Sequence, residues 1–333
     1  MGRKHDMKAA LECRQPEGAV PIWELDFQPW DAASGRHIIF GREYESLSRA
    51  EQERALHSNA EVMLSVAGEF HFAGLRAPGN YWEVAPGVPA YSWLPEEARW
   101  QQTRILCELA DDLVIVGGSG GVITPPSAGY VEFCYKLFDA PEDIDEMARR
   151  TLASGLEAAK RLRDVGVEAA VTSSDIADNH GPFFSPAQME RFVLPYLRKW
   201  AEGVRAMGLY AIMHTDGDIA PCLEDLAESG IHALQAIDPV AGMDIRKVKA
   251  QVGAPARPGR GGRVCLCGNV DCGLLVRGPA EKVYEETCRL LEDCKAGGGL
   301  VLGASNAVFH ETPIEHYRQM IRAWREHGKY SEC

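Results

Sequence analysis

A chain of 333 residues with 48 acidic and 35 basic side chains carries a formal net charge of −13. That disfavours nucleic acid, whose phosphates demand a basic surface. Hydrophobic residues make up 46% of the chain, enough for a large core, yet no apolar run is long enough to span a bilayer.

Taken in chain order, short and nearly continuous apolar runs predict strands at residues 20–25, 72–77, 113–117, 169–173, 210–214, 233–237, 264–268 and 300–304. Such runs are expected of strands covered on both faces. A helix over 57–70 leads into the second strand, and an irregular stretch, 78–95, follows it. The third runs into Gly117-Gly-Ser-Gly-Gly121, which lacks the Lys-Ser/Thr of a P-loop and reads as a tight turn or as backbone that approaches a ligand. Ser185-Pro-Ala-Gln188 predicts a capping-box start with Pro at the first helical position, its helix running toward Gly208. After the fifth strand Ile219, Leu223 and Leu226 recur at helical spacing until Gly230 closes the segment. A Pro/Gly/Arg loop at 254–263 precedes the seventh strand and is expected as a solvated insertion on the face away from chemistry. Cys265 and Cys267 alternate onto one face of that strand, where cysteines with neighbouring Cys272 behave as small hydrophobes rather than a metal cluster. Thr312-Pro-Ile-Glu315 repeats the capping-box signature before the last helix.

Eight strands with interleaved helices predict a single α/β (β/α)8 TIM barrel over residues 1–333, with an N-terminal extension and loop insertions. No tandem repeat or second domain is visible. Met1-Gly-Arg-Lys-His-Asp6 has no apolar signal core, and Asp6 breaks the myristoylation pattern. Ten cysteines then suggest reduced thiols in the cytoplasm.

In parallel α/β folds, ligands and chemistry collect where strands end. His214 and Asp216 stand at the end of the fifth strand and Asp175 follows the fourth; these three are the expected catalytic groups. Asn179 and His180 after the fourth strand, Asn269 and Asp271 after the seventh, Glu24 and Gln28 after the first, and Asn306 after the eighth are expected to bind substrate. Simpler roles compete for several of them: a turn residue at Asp175, a helix cap at Asp271, a solvated loop at Glu24, Asp26 and Gln28. Asp216 and Asn306 should face each other across the barrel mouth, with Cα atoms on the order of 10 Å apart. His214, two residues before Asp216, should point to the same interior side.

Several ordered segments together carry a family resemblance. They are Asp175-Ile-Ala-Asp-Asn-His-Gly-Pro-Phe-Phe-Ser185-Pro, Phe192-Val-Leu-Pro195-Tyr196, His214-Thr-Asp-Gly217 and Leu234-Gln-Ala-Ile-Asp238-Pro. Gly242-Met-Asp-Ile, Gly268-Asn-Val-Asp271 and Gly303-Ala-Ser-Asn306 through Thr312-Pro313 continue the series. From about Val114 onward the chain resembles the uroporphyrinogen decarboxylase superfamily, and within it the cobalamin-dependent methyltransferase branch. The resemblance implies a (β/α)8 barrel and methyl transfer between a corrinoid protein and a small methylated compound or tetrahydrofolate. The alternatives are decarboxylation of a porphyrinogen or another acid, and a non-catalytic ligand-binding barrel.

Departures from the family narrow this expectation. Where its decarboxylases carry a basic Gln-Ala-Gly-Arg segment, this chain reads Glu24-Leu-Asp26-Phe-Gln28-Pro-Trp30-Asp31, an acidic lip expected to repel a tetrapyrrole with eight carboxylates. Asn306 replaces the family's late His. Thiol-alkylating members bind zinc through His-x-Cys and a later Cys; here His214, Asp216 and Asn306 occupy those positions, so zinc is not favoured. Asp216 and Asn306 are instead expected to hydrogen-bond a pterin edge or a methoxyl substrate, with an acid near the methylated atom. The Asp-x-His-x-x-Gly ligand motif of base-off cobalamin proteins does not occur, and Asp178-Asn-His180-Gly181 has the wrong spacing. Cobalamin is therefore expected on a separate corrinoid protein that docks over the barrel mouth.

Overall fold

In the computed structural model, which describes residues 2–85, 87–126, 128–253 and 263–330, parallel strands curl round in chain order. The first stave, β1 (residues 21–23), closes the ring: Ile22 bridges both Phe72 and Leu302 in parallel sense. Trp23 N–H donates to the Leu302 carbonyl at 3.0 Å, and Ala73 N–H to that of Ile22 at 2.8 Å. The others are β2 (Gly74–Arg76), β3 (Val114–Gly118), β4 (Ala169–Ser173), β5 (Tyr210–Thr215), β6 (Ala233–Ala236), β7 (Cys265–Cys267) and β8 (Leu300–Val301). All eight fall on the predicted apolar runs, and the architecture is the (β/α)8 barrel.

Alternation along each strand sorts side chains into two cores. Val114, Val116, Ala169, Val171, Ile212, Cys265, Cys267 and Val301 fill the barrel interior. Ala211, Met213, Leu234 and Leu266 point outward into the helix layer. Cys265 and Cys267 are thus fully buried interior hydrophobes, and no described cysteine is in a disulfide. The N-terminal extension is a helix, Arg3–Leu11, whose Met7 and Leu11 pack on the residues that begin the strands and seal that end. The opposite mouth, where the strands end, holds a cavity.

Local signals hold with some exceptions. The predicted 57–70 helix starts earlier, at Arg49, behind a capping box made by Ser48 and Glu51. Stretch 78–95 is irregular apart from a small hairpin of Glu83–Ala85 and Val88–Pro89. Ser185 and Gln188 form the predicted capping box, but the helix widens into a π-turn at Met189–Val193 before continuing as Leu194–Ala206. Pro195 offers no N–H and its ring crowds the carbonyl four residues back, so a wider turn is the natural accommodation. The capping box expected at Thr312 does not form: Pro313 is the cap of helix Ile314–His327, and the Thr312 hydroxyl is buried without a partner. Most of the Pro/Gly/Arg loop, 254–262, lies outside the described residues.

Candidate active site

β5 carries the first group inward. Ile212 faces the barrel interior, so His214 two residues on does too, and it is 5% exposed. Its Nδ1 hydrogen-bonds Oε1 of Gln235, the residue beside it in the register of β6. The Gln235 amide in turn donates to the carbonyls of Ala304 and Ser305 at 3.4 and 3.3 Å, which orients its oxygen toward the imidazole. This network assigns the ring N–H to Nδ1 and leaves Nε2 to meet two carboxylates. Asp175 Oδ1 lies 3.6 Å from Nε2 and Asp216 Oδ2 lies 3.9 Å from it.

Each carboxylate is anchored. Asp175 Oδ1 accepts the backbone N–H of Asp216 at 3.1 Å. Asp216 Oδ2 accepts the side-chain amide of Asn306, whose own oxygen accepts the N–H of Ala307 at 2.7 Å. Burial pushes the Asp216 carboxyl up to about 6, and the negative charges of Asp175 and Asp238 push the same way against His214 and Asn306. A carboxylic acid that titrates near neutrality beside an imidazole can give or take a proton. The turn that sets this up needs glycine: Gly217 has φ +90°, and a Cβ there would meet the Ala177 and Asp178 carbonyls within 2.8 Å. Its N–H donates to Asp238 Oδ2 at 3.3 Å.

Donor atoms of Asp175, His214 and Asp216 all lie within 4.8 Å of one another. Such a set suits a hard or borderline cation better than a thiolate zinc chemistry. Yet Asp175 Oδ1 and Asp216 Oδ2 already accept hydrogen bonds from within the chain.

These residues line one side of a cavity of about 1210 Å³ at the strands' C-terminal end. Its other side is built by β1, β2 and the segments after them, including Glu24, Asp26, Gln28, Arg76, Tyr91, Arg99 and Trp100. Glu24 is buried, its two oxygens accepting from the Ala304 N–H and the Tyr317 hydroxyl, each at 2.8 Å. Burial pushes its carboxyl up to about 8, and the two hydrogen bonds brace β1 against β8. Gln28 donates to Asp26 at 2.8 Å and accepts from the His310 N–H at 3.1 Å.

Four expected binding residues stand elsewhere. Asn179 and His180 are exposed at the tip of a small ribbon, Ala177–Asp178 against Gly181–Pro182, outside the cavity lining. The Asn269 amide is spent on the Ile237 carbonyl at 2.7 Å, fastening one loop of the mouth to the next. Asp271 caps helix Cys272–Arg277, accepting the N–H groups of Gly273 and Leu274. Reach is the common reason: their polar atoms satisfy nearby backbone or point to solvent.

The expected acidic lip is also corrected. Glu24 is buried with its carboxyl raised, and Asp31 turns to His37 and the Ile38 N–H. Arg76 and Arg99, absent from the expected set, add positive charge to the same cavity. Repulsion by residues 24–31 therefore does not separate a decarboxylase from a methyltransferase. A cation ending a short apolar strand was the available signal for Arg76, since an arginine there is seldom buried without purpose.

Comparison with known proteins adds the following. The uroporphyrinogen decarboxylase (URO-D) family model matches residues 103–327, about two thirds of the chain. Uroporphyrinogen decarboxylase of Hydrogenovibrio crunogenus is 29% identical over 48% of this chain and 43% of its own. That of Ralstonia pickettii is 27% identical over 46% of this chain and 40% of its own. The matched region thus spans less than half the length of these relatives. Among solved structures, a methyltransferase from Methanosarcina mazei superposes with a TM-score of 0.68 at 19% identity, covering 98% of this chain and 99% of that one, and shows the shared fold. No described helix is long and apolar enough to cross a membrane.

Proposed function

Because the chain belongs to the uroporphyrinogen decarboxylase family, we propose that it is a corrinoid-dependent methyltransferase, moving a methyl group between a partner corrinoid protein and a small methylated substrate or tetrahydrofolate. The observation that carries this reading is the cluster of His214, Asp216 and Asn306 at the mouth, with Asp216 titrating at about 6. A methyl group leaving oxygen or nitrogen leaves behind an atom that must gain a proton, and the reverse transfer must remove one. Asp216 would do this, with His214 as its proton partner and Gln235 fixing the imidazole. Asn306 holds the Asp216 carboxyl in place and offers substrate an amide edge.

Cobalamin, carried by the separate protein, would supply the cobalt that accepts or donates the methyl group. The cavity is larger than the roughly 300–1,000 Å³ of ordinary small-molecule sites, leaving room at the mouth beyond a small substrate. Docking there would exclude water from the acid–base cluster.

Mixing the protein with cob(I)alamin-loaded corrinoid protein and candidate methyl ethers, or with the methyl-loaded form and tetrahydrofolate, should change the cobalamin spectrum. No change with any donor or acceptor, together with coproporphyrinogen formed from uroporphyrinogen, would transfer the assignment to decarboxylation. The arginines of the cavity are the specific feature that keeps this second reading in play.

A further inference from the structure

Much of the cavity wall beyond the acid–base cluster is aromatic and uncovered. Tyr81, Trp82 and Tyr91, from the segment after β2, and Phe309, from the loop after β8, all line it. Each is at least 36% exposed, and Trp82 is the most open at 59%. Large aromatic side chains left in water forgo their transfer free energy, and a cluster of them in one concavity marks a place where an apolar body is received. Residues 81–91 precede the stretch that the family model matches, 103–327, so three of these four rings lie outside the matched region.

The hairpin of Glu83–Ala85 and Val88–Pro89 turns one face to the cavity. Trp82 and Val84 alternate onto that face and both line the cavity, whereas Glu83, between them, and its cross-strand partner Pro89 do not. The Trp82 carbonyl accepts the Ala90 N–H at 2.8 Å and continues the pairing. Two rings at the base are already fixed. Tyr91 stacks on His310, centroids 5.5 Å apart and planes at 12°, and Tyr81 meets the buried Trp93 edge-on at 5.0 Å. Phe309 adjoins His310 and stands a few residues after Asn306, whose amide holds Asp216. The aromatic wall and the acid–base cluster thus share the loop after β8.

We propose that this wall receives a flat aromatic ring, the body of the molecule whose methyl group is transferred. The inference rests on the preceding reading of the cavity as the substrate site and names the class of substrate that enters it. Ring faces and ring edges carry opposite partial charge. An aromatic guest therefore gains on aromatic side chains what a saturated ring of equal size cannot, roughly 2- to 10-fold in affinity per well-made contact. A substrate of one or two carbons would leave Trp82 and Tyr91 in water, whereas a ring is wide enough to cover them.

Binding alone tests it, without corrinoid, so its failure and that of methyl transfer are distinguishable. Ligand-observed NMR titrations of the full chain would compare anisole with methoxycyclohexane, its saturated counterpart. Anisole should bind at least about threefold more tightly, and Trp82→Leu and Tyr91→Leu should each remove most of that preference, with Trp82→Phe keeping it. Trp82 is exposed, so its replacement leaves the core untouched. Equal binding of the two ethers, no binding of anisole, or a preference that survives in both leucine variants overturns the proposal. Tetrahydrofolate in competition separates two sources of such a ring. Displacement of anisole below anisole's own dissociation constant assigns the ring to a pterin, and weaker displacement or none assigns it to an aryl ether.

Discussion

The side-chain amide of Asn306 donates directly to Oδ2 of Asp216, tying the loop after β8 to the end of β5 across the barrel mouth. Sequence spacing placed these two side chains opposite each other; in the structure they touch. They face the cavity as one unit, a carboxyl held by an amide.

Replacing Asp216 with Ala should reduce turnover by roughly 10²–10⁴-fold if it handles a proton, with the fold retained. Asn306→Ala should act mainly on binding, raising the apparent dissociation constant of substrate. Steady-state kinetics with circular dichroism as the folding control would check both, and full activity in Asp216→Ala would remove Asp216 from the mechanism.

The Asn306 hydrogen bond favours the ionised form of Asp216, whose carboxyl titrates at about 6. Deleting that bond should move the Asp216 inflection in the pH–rate profile upward. A shift downward, or none, would show that Asn306 does not stabilise the charged carboxylate.

Stability should carry the marks of two raised carboxyls. Asp216 is raised from 3.8 to about 6 and Glu24 from 4.5 to about 8, so over these windows the folded state binds more protons than the unfolded chain. Unfolding free energy should then fall as pH rises, from about 4 through 6 for Asp216 and from about 4.5 through 8 for Glu24. Denaturant melts of Glu24→Gln should show a flatter profile between pH 5 and 8 than wild type. An unchanged slope would mean that Glu24 is ionised in the folded protein.

Purified protein should hold well below one equivalent of zinc, because neither cysteine of the thiolate set is present and both carboxylates are already engaged. Metal analysis by mass spectrometry decides the matter. Stoichiometric zinc that disappears in His214→Ala would instead establish a site of nitrogen and oxygen ligands.

Gly217→Ala should destabilise the protein by about 1–3 kcal/mol or more, since the new Cβ combines a left-handed backbone with contact against the Ala177 and Asp178 carbonyls. Activity should fall further than stability alone explains, because the same turn holds Asp216. Thermal melts beside kinetics separate the two effects.

Strand placement and the grouping of one set of polar side chains were legible in the chain itself. A strand buried on both faces must be apolar almost throughout, so eight such runs announced the barrel, and alternation set His214 on the same side as Asp216, two residues on. Asp216 was marked by its position at a strand end. Tertiary structure decided the rest, because it alone sets distance between residues remote in sequence. Gln235 reaches His214 across 21 positions and Asn306 reaches Asp216 across 90. Formal charge misled for the same reason: Glu24 counts as an anion in the sequence, yet it is buried with its carboxyl pushed up to about 8, while Arg76 and Arg99 are brought into its cavity from other elements. Asn269 and Asp271 look like ligands by residue type and become fastenings once a carbonyl and a helix end lie within reach. Burial and proximity fix what a polar side chain does, and both are properties of the packed fold.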